Sequence, residues 1–453
     1  MITSDELAIA LRPLLVRAPA TPPARFRHAV VDSRKAGAGD LFVALPGERA
    51  DGHDFVADAA ARGARGAFVA HEVAAPIAQY VVRDPLAALQ AAAAHRRASC
   101  ARLKVVGITG SVGKTTTKEI VASVLATKYA VLKNEGNLNS EIGMPLVLLE
   151  LTQRHRRAVL EMGMWAEGEM AQLCAMAQPD VGVVTMVGPV HMERLGTIDA
   201  IAREKGVLPA SLPTDGVAVL NADDARVASM ADRTSAHVIT FGLAAGADVR
   251  AEDVESHGLA GVRFTLVHGG EREAVYSHLP GRAMVHNALA AAAVGLVDGL
   301  TVPEVAEALT EAPANVRFSV HPGINGSTII DDTYNASPAS MLAALDLLAE
   351  VPGRKIAVLG DMRELGDAEP EGHREVGERA GAVADIVVAV GELGHIIGEA
   401  AARAGAVDVR FAGEPAKVAA VLAPMLTEGD VVLVKASRAL ALETVAEELR
   451  APS

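Results

Sequence analysis

Residues 103–117 read Leu-Lys-Val-Val-Gly-Ile-Thr-Gly-Ser-Val-Gly-Lys-Thr-Thr-Thr, which is an apolar run followed by a glycine-rich turn and a helix-like segment. The run 103–108 predicts a buried strand, and the stretch 115–127 predicts a helix. Glycines in such a turn let backbone N–H groups point at phosphate oxygens beside the positive end of the helix dipole. The stretch therefore predicts a phosphate-binding loop between a strand and a helix.

The residue types in this loop suit ATP and Mg²⁺. Lys114 is expected to reach the β- and γ-phosphates, and the hydroxyl of Thr115 is expected to ligate Mg²⁺. The loop departs from the common P-loop pattern, because Ile108 stands where that pattern has a glycine. A glycine turn with a surface lysine is the alternative, but the order of strand, turn and helix favours the phosphate loop. The residues expected to contact ATP here are Gly110, Ser111, Gly113, Lys114, Thr115 and Thr116.

Composition limits the classes of protein to which the chain can belong. With 453 residues, two or three domains are expected, and 50% hydrophobic residues are enough for a core in each. Aromatic residues make up only 3%, so the cores are expected to consist of Ala, Val, Leu and Ile. The formal net charge of -14 argues against nucleic acid or an anionic membrane surface as the main partner.

The cysteines and the N-terminus predict a cytoplasmic location. Cys100 and Cys174 are the only cysteines and have no CxxC spacing, so neither a disulfide framework nor a structural zinc site is expected. Asp5 and Glu6 stand where a signal peptide would carry positive charge. No uninterrupted apolar run approaches the roughly 20 residues that cross a bilayer, so membrane insertion is not expected.

Apolar runs alternate with helix-like segments in three parts of the chain, 1–98, 99–314 and 315–453. This alternation predicts an α/β protein with mainly parallel sheets covered on both faces. The expected strands are 40–45, 67–70, 80–82, 103–108, 158–161, 181–187, 217–220, 329–330, 355–359, 385–390 and 431–434, and further helices are expected from 86 to 99 and between the later strands. Polar residues directly follow several of these strands, which predicts a ligand site at their carboxyl ends, between two domains.

The string TGxxGKTT at 109–116 resembles the Mur ligases and the related folylpolyglutamate synthetases, which form an amide bond after phosphorylating a carboxylate. The resemblance to the Mur ligases covers essentially the whole chain. Asp32-Ser33-Arg34, followed by GDLFVALPG at 39–47 and DGHDF at 51–55, resembles the UDP-sugar recognition domain of that family. The resemblance places Ser33 and Arg34 near the uridine diphosphate of the substrate, although a polar loop is the alternative for this segment.

In the middle segment the resemblance assigns ligands for the substrate and for Mg²⁺. Asn137 and Asn139 belong to an asparagine-rich run that resembles the family's substrate loop. By analogy, Glu161 joins Thr115 around a first Mg²⁺, and His191 approaches a second. Lys205 stands where the family has a lysine carbamylated by CO₂, an anion suited to the second Mg²⁺. The family's Lys-Gly-Glu is Lys-Gly-Val here, and a solvated helix lysine is the alternative.

Further contacts to ATP and to the substrates are implied in the rest of the chain. The family usually has a His-Asn pair where this chain has Ala283 and Met284, but the asparagine that contacts adenine is retained as Asn287. In the third segment, the resemblance implies that Arg317 is a phosphate clamp. The other implied contacts are Asp332 and Asn335 for the nucleotide and Lys435 and Arg438 for the substrate, with surface charge as the alternative for the last two.

Within the family, DDTYNASP at 331–338 and LGDMRELG at 359–366 resemble the enzyme that adds D-alanyl-D-alanine. The resemblance thus implies a UDP-substrate domain, a central P-loop domain and a C-terminal Rossmann-like domain. It also implies a monomeric, cytoplasmic, ATP- and Mg²⁺-dependent ligase that joins D-alanyl-D-alanine to UDP-N-acetylmuramoyl-tripeptide, whose third residue can be diaminopimelate or lysine. The implied catalytic residues are Lys114, His191, Lys205 and Arg317.

Four other functions compete with this one. The ligase that adds the third residue of the peptide often carries Asp-Asn-Pro-Arg, a string that this sequence lacks. Folylpolyglutamate synthetases lack a UDP-binding segment of this type. A non-catalytic ATP-binding scaffold would be expected to have lost Lys114, Glu161, His191 or Lys205, and a generic P-loop ATPase is disfavoured because no partner-binding feature is evident.

Overall fold

The computed structural model describes residues 2–47, 50–313 and 318–451. Arg317, the predicted phosphate clamp, lies outside these residues. Within these ranges, none of the helices combines the length and the apolar character that a membrane crossing requires.

The strands are β1 (Ile2–Thr3), β2 (Leu15–Arg17), β3 (Arg25–Phe26), β4 (Ala29–Val30), β5 (Leu41–Val43), β6 (Gly66–Val69), β7 (Ala78–Val82), β8 (Lys104–Thr109), β9 (Val131–Lys133), β10 (Arg157–Glu161), β11 (Val181–Val184), β12 (Val217–Asn221), β13 (His237–Gly242), β14 (Val249–Ser256), β15 (Val262–His268), β16 (Glu271–Ser277), β17 (Ser319–Pro322), β18 (Thr328–Asp331), β19 (Lys355–Gly360), β20 (Ile386–Val390), β21 (Asp408–Ala412) and β22 (Val431–Lys435).

The α-helices are α1 (Ser4–Ala10), α2 (Val56–Ala61), α3 (Pro85–Ala98), α4 (Lys114–Ala126), α5 (Gly143–Leu148), α6 (Glu169–Ala177), α7 (Met192–Leu195), α8 (Ile198–Lys205), α9 (Val207–Ala210), α10 (Ala225–Ala228), α11 (Met284–Val297), α12 (Val302–Glu311), α13 (Pro338–Glu350), α14 (Glu369–Val383), α15 (Gly394–Arg403), α16 (Val418–Leu422) and α17 (Glu443–Leu449).

The chain forms two compact units, the first of which comprises Met1–Ile108, Lys128–Gly182 and Ser211–Gly216. Its five-stranded sheet has the order β2-β7-β6-β5-β4 and is parallel except for the pairing of β2 with β7. In the same unit, β10 pairs in parallel with β8 and with β9. Every residue of β10 is buried, as expected of a parallel strand that is covered on both faces.

The second unit comprises Thr109–Thr127, Val183–Ala210 and Val217–Ser453. In its first part, β12, β13 and β14 pair in parallel, and β14, β15 and β16 then form an antiparallel meander. Helix α11 packs against α4 and also contacts β12 and β13. Its alanines from Ala288 to Ala293 are buried, and these small side chains let the neighbouring helix approach closely.

The rest of the second unit is built on a six-stranded sheet in the order β17-β18-β22-β19-β20-β21. Only the pairing of the edge strand β17 is antiparallel. One buried cluster on this sheet contains Ala357, Leu359 and Leu433, and another contains Val358, Val388 and Val432. Because successive strand residues point to opposite faces, the sheet is covered on both sides by α13 to α17.

The predicted α/β class with mainly parallel sheets is confirmed, but the strand prediction differs from the structure in several places, and two of the differences have a clear cause. The strand expected over 181–187 ends at Val184, because Thr185 and Met186 turn away to bond the glycine loop. The meander of β14 to β16 was missed. Residues 249–256 include four acidic or hydroxyl side chains among the apolar ones, so this segment lacks the apolar run that identified the other strands.

Two glycines of α14 allow α15 to pack closely against it. A Cβ atom on Gly377 would lie 2.4 Å from the carbonyl oxygen of Ile397, and one on Gly381 would lie 2.4 Å from that of Ala401. In an unhindered helix, replacing glycine by alanine stabilises by about 1 kcal/mol. For Gly377→Ala we predict the opposite: the added methyl group overpacks the contact, and the free energy of unfolding falls by about 1–3 kcal/mol. Urea unfolding measures this change.

Gly413 provides the control for this prediction, since a Cβ atom there would meet no atom within 4 Å. Gly413→Ala should leave the free energy of unfolding within about 0.5 kcal/mol of the parent value. Equal stability of Gly377→Ala and the parent chain would show that the two helices are not in close contact.

Candidate active site

The glycine loop between β8 and α4 has a backbone that only glycine accommodates at two points. Gly110 has φ 151° and Gly113 has φ 87°. A Cβ atom on Gly110 would lie 1.9 Å from Oγ1 of Thr185, and one on Gly113 would lie 2.5 Å from Nδ2 of Asn287. The loop ends at the first residue of α4, a helix of 13 residues, so its N–H groups lie at the positive end of a helix dipole.

Side chains and backbone from the segment that follows β11 hold this loop in place. The Ser111 backbone N–H donates to the carbonyl oxygen of Met186 at 2.7 Å. The Ser111 hydroxyl donates to the carbonyl of Gly188 at 3.0 Å and accepts from its N–H at 2.8 Å. Thr185 Oγ1 donates to the carbonyl oxygen of Val112 at 2.6 Å. The loop is therefore held in its conformation by hydrogen bonds from the protein itself.

The side chains of Lys114 and Asn287 also donate hydrogen bonds to the loop backbone. Nζ of Lys114 donates to the carbonyl oxygen of Gly110 at 2.8 Å, so the ammonium group lies over the loop. Asn287 is buried and donates through Nδ2 to the carbonyl of Gly113 at 3.0 Å and to Oγ1 of Thr117 at 2.9 Å. Asn287 was predicted to contact adenine. In the structure, its amide nitrogen bonds the loop.

The loop opens into a cavity of about 740 Å³, the size of a pocket for a nucleotide or a drug-sized ligand. Its wall contains the predicted ATP contacts Ser111, Gly113, Lys114, Thr116, Asn287, Asp332 and Asn335 and the predicted substrate contact Lys435. Apolar side chains provide much of the remaining wall, among them Phe241, Leu279, Met284, Ile330 and Leu347. The cavity therefore combines a phosphate cradle with an apolar surface that suits a flat base.

One wall of the cavity carries a buried ion pair at the ends of β18 and β22. Nζ of Lys435 lies 2.7 Å from Oδ2 of Asp332 and donates to the carbonyl oxygen of Asn335 at 2.8 Å. The Lys435 side chain is only 2% exposed. Lys435 was predicted as a substrate-site cation. Here it fixes Asp332 and Asn335, so the structure brings these three predicted residues together.

His191 lies immediately before α7 and contacts Glu364. Its Nδ1 atom lies 2.5 Å from Oε2 of Glu364, and the backbone N–H of Met192 donates to the carbonyl oxygen of Glu364 at 2.8 Å. His191 has φ 55° and Glu364 has φ 67°, left-handed conformations that are uncommon outside glycine and asparagine. A carboxylate on one ring nitrogen fixes the orientation of the imidazole.

Lys205 ends α8 with its side chain buried, at 2% relative exposure for the residue. Burial lowers the pKa of its ammonium group well below the usual value, the positive charge of Lys114 lowers it further, and Glu204 opposes the shift. A lysine whose pKa is lowered in this way has a larger fraction of the nucleophilic neutral amine. The alternative of a solvated helix lysine does not fit this burial.

In the first unit, Glu161 at the end of β10 is held by two asparagines. Asn139 donates through Nδ2 to Oε1 of Glu161 at 2.8 Å. Asn134, fully buried, donates to the carbonyl oxygen of Glu161 at 3.0 Å and accepts from its N–H at 2.9 Å. Asn137 in the same run is exposed. The predicted substrate loop is thus bonded to the predicted metal ligand, and sequence reasoning assigned no role to Asn134.

The predicted contacts for uridine diphosphate lie in the same unit. Ser33 is buried, and the exposed Arg34 is held by Asp32 through Nε at 2.9 Å and Nη2 at 2.8 Å. Hydrogen bonds from Arg34 lower the pKa of Asp32 to about 2. In the second unit, the exposed Arg438 lies with its guanidinium carbon 5.7 Å from the ring centroid of Tyr334.

The residues fit Mg²⁺ held jointly by protein and phosphate. Within the described ranges, no three His, Cys, Asp or Glu side chains converge in a way that could hold a metal ion. Mg²⁺ usually takes only one or two protein ligands and completes its octahedron with water and phosphate oxygens. In the second unit, the hydroxyl of Thr115 at the start of α4 is a donor of that kind. In the first unit, the carboxylate of Glu161 is another.

The fold and the loop define an α/β protein that binds a nucleoside triphosphate, and the comparisons give its family. The pattern of the "Mur ligase family, catalytic domain" matches residues 26–107, that of the "Mur ligase middle domain" matches 108–295, and that of the "Mur ligase, glutamate ligase domain" matches 316–438. The chain belongs to the Mur ligase family, whose members are ATP-dependent ligases.

Relatives over most of the chain carry one name. The UDP-N-acetylmuramoyl-tripeptide--D-alanyl-D-alanine ligase of Mycobacterium tuberculosis H37Rv is 40% identical, with 92% of this chain and 91% of the relative aligned. The Escherichia coli K12 enzyme of the same name is 36% identical, with 92% of each chain aligned. Among solved structures, MurF from Acinetobacter baumannii is 33% identical and superposes with a TM-score of 0.89 over 99% of this chain and 98% of that one.

A second solved structure bears on the nucleotide. MurF from Thermotoga maritima in complex with ADP is 32% identical and superposes with a TM-score of 0.82 over 93% of this chain and 96% of that one.

We predict that Asn287 is required for tight nucleotide binding. Asn287→Ala removes the donor that holds Gly113, so the loop becomes less ordered and the Kd for ADP should rise about 10-fold, equivalent to about 1.4 kcal/mol. Isothermal titration calorimetry measures the change. Asn287→Asp should weaken ADP binding as much, because aspartate keeps the volume of the side chain but not its N–H donor. Gln172 is an exposed amide on α6 and provides the control: Gln172→Ala should bind ADP as the parent does.

The bond between His191 and Glu364 predicts a stability that depends on pH. The hydrogen bond from His191 holds the pKa of Glu364 below its ordinary value of 4.5, although partial burial opposes this. The bond therefore stabilises fully above that ordinary value and is lost as pH falls through the lowered pKa. The Tm difference between the parent and Glu364→Gln should be largest near about pH 7 and should shrink towards about pH 3. A difference that is constant with pH would contradict this prediction.

Proposed function

We propose that this chain joins D-alanyl-D-alanine to UDP-N-acetylmuramoyl-tripeptide with ATP, giving the UDP-linked pentapeptide used for peptidoglycan. The observation that carries the proposal is the cavity in which the phosphate loop faces Asp332, Asn335 and Lys435. The family membership supports an amide ligase, and the names of the relatives support this pair of substrates. We propose the boundaries 1–98, 99–314 and 315–453 for the substrate, ATP and ligase domains.

The reaction requires activation, because a carboxylate is a poor electrophile. In the proposed first step, an oxygen of the tripeptide's terminal carboxylate attacks the γ-phosphorus of ATP, the bond to the β-phosphate oxygen breaks, and ADP leaves. In the second step, the amine of D-alanyl-D-alanine attacks the acyl carbon, loses a proton, and releases inorganic phosphate. Both steps need the reactants held in line and water excluded.

The chain's own residues would stabilise the charge of the transferring phosphoryl group. The ammonium of Lys114 lies over the loop that would hold the β- and γ-phosphates, and we assign it the main electrostatic role. We assign Arg317 to the same group of phosphate contacts. Asp332 and Asn335, fixed by Lys435, would orient the nucleotide. Ser33, Arg34, Asn137, Asn139 and Arg438 are the proposed contacts of the two other substrates.

Thr115, Glu161, His191 and a carbamylated Lys205 are the proposed ligands of Mg²⁺, which would neutralise phosphate charge when bound. Carbamylation converts the buried ammonium of Lys205 into an anion. The lowered pKa of this lysine favours the step, because only the neutral amine attacks CO₂. We place the reaction in the cytoplasm and expect a monomer.

We predict that phosphate release from ATP requires both UDP-N-acetylmuramoyl-tripeptide and D-alanyl-D-alanine, and that a UDP-linked pentapeptide accumulates. Lys114→Ala should lower the rate by at least about 100-fold. Lys417→Ala, which changes an exposed lysine paired with Glu414, should retain the parent rate. Phosphate release and mass spectrometry measure the two products.

The same assay decides between the competing functions. Release that is indifferent to D-alanyl-D-alanine would overturn the proposed substrate pair. Activity with UDP-N-acetylmuramoyl-dipeptide, or with folate and glutamate, would assign the chain to a sibling ligase, and no release at all would indicate a scaffold. Comparing tripeptides that end in diaminopimelate and in lysine then identifies the third residue.

A further inference from the structure

A second pair of polar side chains, His286 and Asp223, lines the same cavity. His286 is in the first turn of α11 and lines the cavity together with Asp223, which follows β12. Nε2 of His286 lies 2.8 Å from Oδ2 of Asp223. The two side chains are 32% and 25% exposed, so the pair is partly screened from water and faces the cavity.

Asp223 is held rigidly by the backbone around it. Its carboxylate accepts N–H groups from Leu243 at 2.6 Å and Ala244 at 2.9 Å, and its own N–H donates to Oδ1 of Asn221 at 2.9 Å. A Cβ atom on Gly242 would lie 2.7 Å from the carboxylate, so the turn after β13 wraps tightly around it. Partial burial raises the pKa of Asp223, but the hydrogen bonds from Leu243, His286 and Ala244 outweigh this and hold it below the usual range.

The fixed carboxylate determines which nitrogen of His286 carries the proton. An ionised carboxylate only accepts hydrogen bonds, so Nε2 is the donor of this pair. In the neutral imidazole, the other nitrogen is then an acceptor. His286 therefore has an oriented ring whose Nδ1 atom can accept a hydrogen bond.

The surroundings of His286 suit a nucleobase. Leu279, Pro280, Ala283 and Met284 line the cavity beside it and carry no group that recognises a base edge. His286 lies three residues after Ala283, so the two positions share one face of the helix. The imidazole can thus supply the polar contact that the pair Ala283 and Met284 cannot make.

We propose that His286, oriented by Asp223, selects adenine over guanine by accepting a hydrogen bond at Nδ1 from the 6-amino group of the base. Guanine carries a carbonyl oxygen at that position, so two acceptors would face each other. A site built to pair with a donor discriminates strongly against a ligand that lacks it. The inference rests on the proposed function only in taking ATP as the nucleotide, and it adds the residue that recognises the base.

The test measures ADP and GDP binding to the full chain by calorimetry. The parent chain should prefer ADP. His286→Ala should weaken ADP binding about 10-fold and leave GDP binding unchanged, because only the adenine contact is lost. Asp223→Ala removes the acceptor that holds the proton on Nε2, so the imidazole is no longer oriented. That variant should also weaken ADP binding and lower the preference for ADP over GDP.

His278→Ala is the matched control, because His278 is exposed and is not among the cavity-lining residues; its ADP-to-GDP ratio should equal that of the parent. An unchanged ratio in His286→Ala would overturn the inference. If that variant does not fold, an unchanged ratio in Asp223→Ala overturns it equally. A parent chain that binds ADP without preference would refute only the role of His286, whereas a parent chain that binds neither nucleotide would refute the proposed function as well.

Discussion

The anchoring of the glycine loop is the interaction on which the rest of the site depends. Gly110 and Gly113 adopt conformations that other residues rarely reach, and Thr185 and Asn287 occupy the space that a Cβ atom would need. Each hydrogen bond that holds the loop contributes only about 0.5–1.5 kcal/mol. Together they keep backbone N–H groups oriented at the start of α4, a concentrated positive potential in a chain whose net charge is -14.

The buried lysines of the second unit show how such an acidic chain controls its positive charge. Lys435 is neutralised by Asp332, so it orients neighbouring groups and adds little net charge to the cavity. Burial and the positive charge of Lys114 lower the pKa of Lys205. Lys114 lies over the loop itself. Positive charge is therefore concentrated at the point where phosphate oxygens would bind, and neighbouring cations are paired or have a lowered pKa.

The sequence predicted the parts of the structure that repeat a strong local pattern. The buried strands β8, β10, β12, β19 and β22 were found within a residue or two, because parallel strands covered on both faces are continuous apolar runs. The charged meander of β14 to β16 lacked that signal. The glycine loop was recognisable from its local pattern. Two other features of the site were not: Lys435 pairs with Asp332, and His286 lies beside Asp223. Both join residues about 60 to 100 positions apart, and a single sequence does not reveal such contacts.

The packing of α11 determines which of its positions beside the cavity can be substituted without repacking the helix. From Asn287 to Gly295 the helix is buried against its neighbours, and a larger side chain there would require matching changes in α4. The first turn, with Ala283, Met284 and His286, is not closely packed. The departure from the family's His-Asn pair, at Ala283 and Met284, falls in that turn. The helix thus combines a tightly packed body with a more exposed first turn, where a side chain that lines the cavity can be exchanged without repacking the domain.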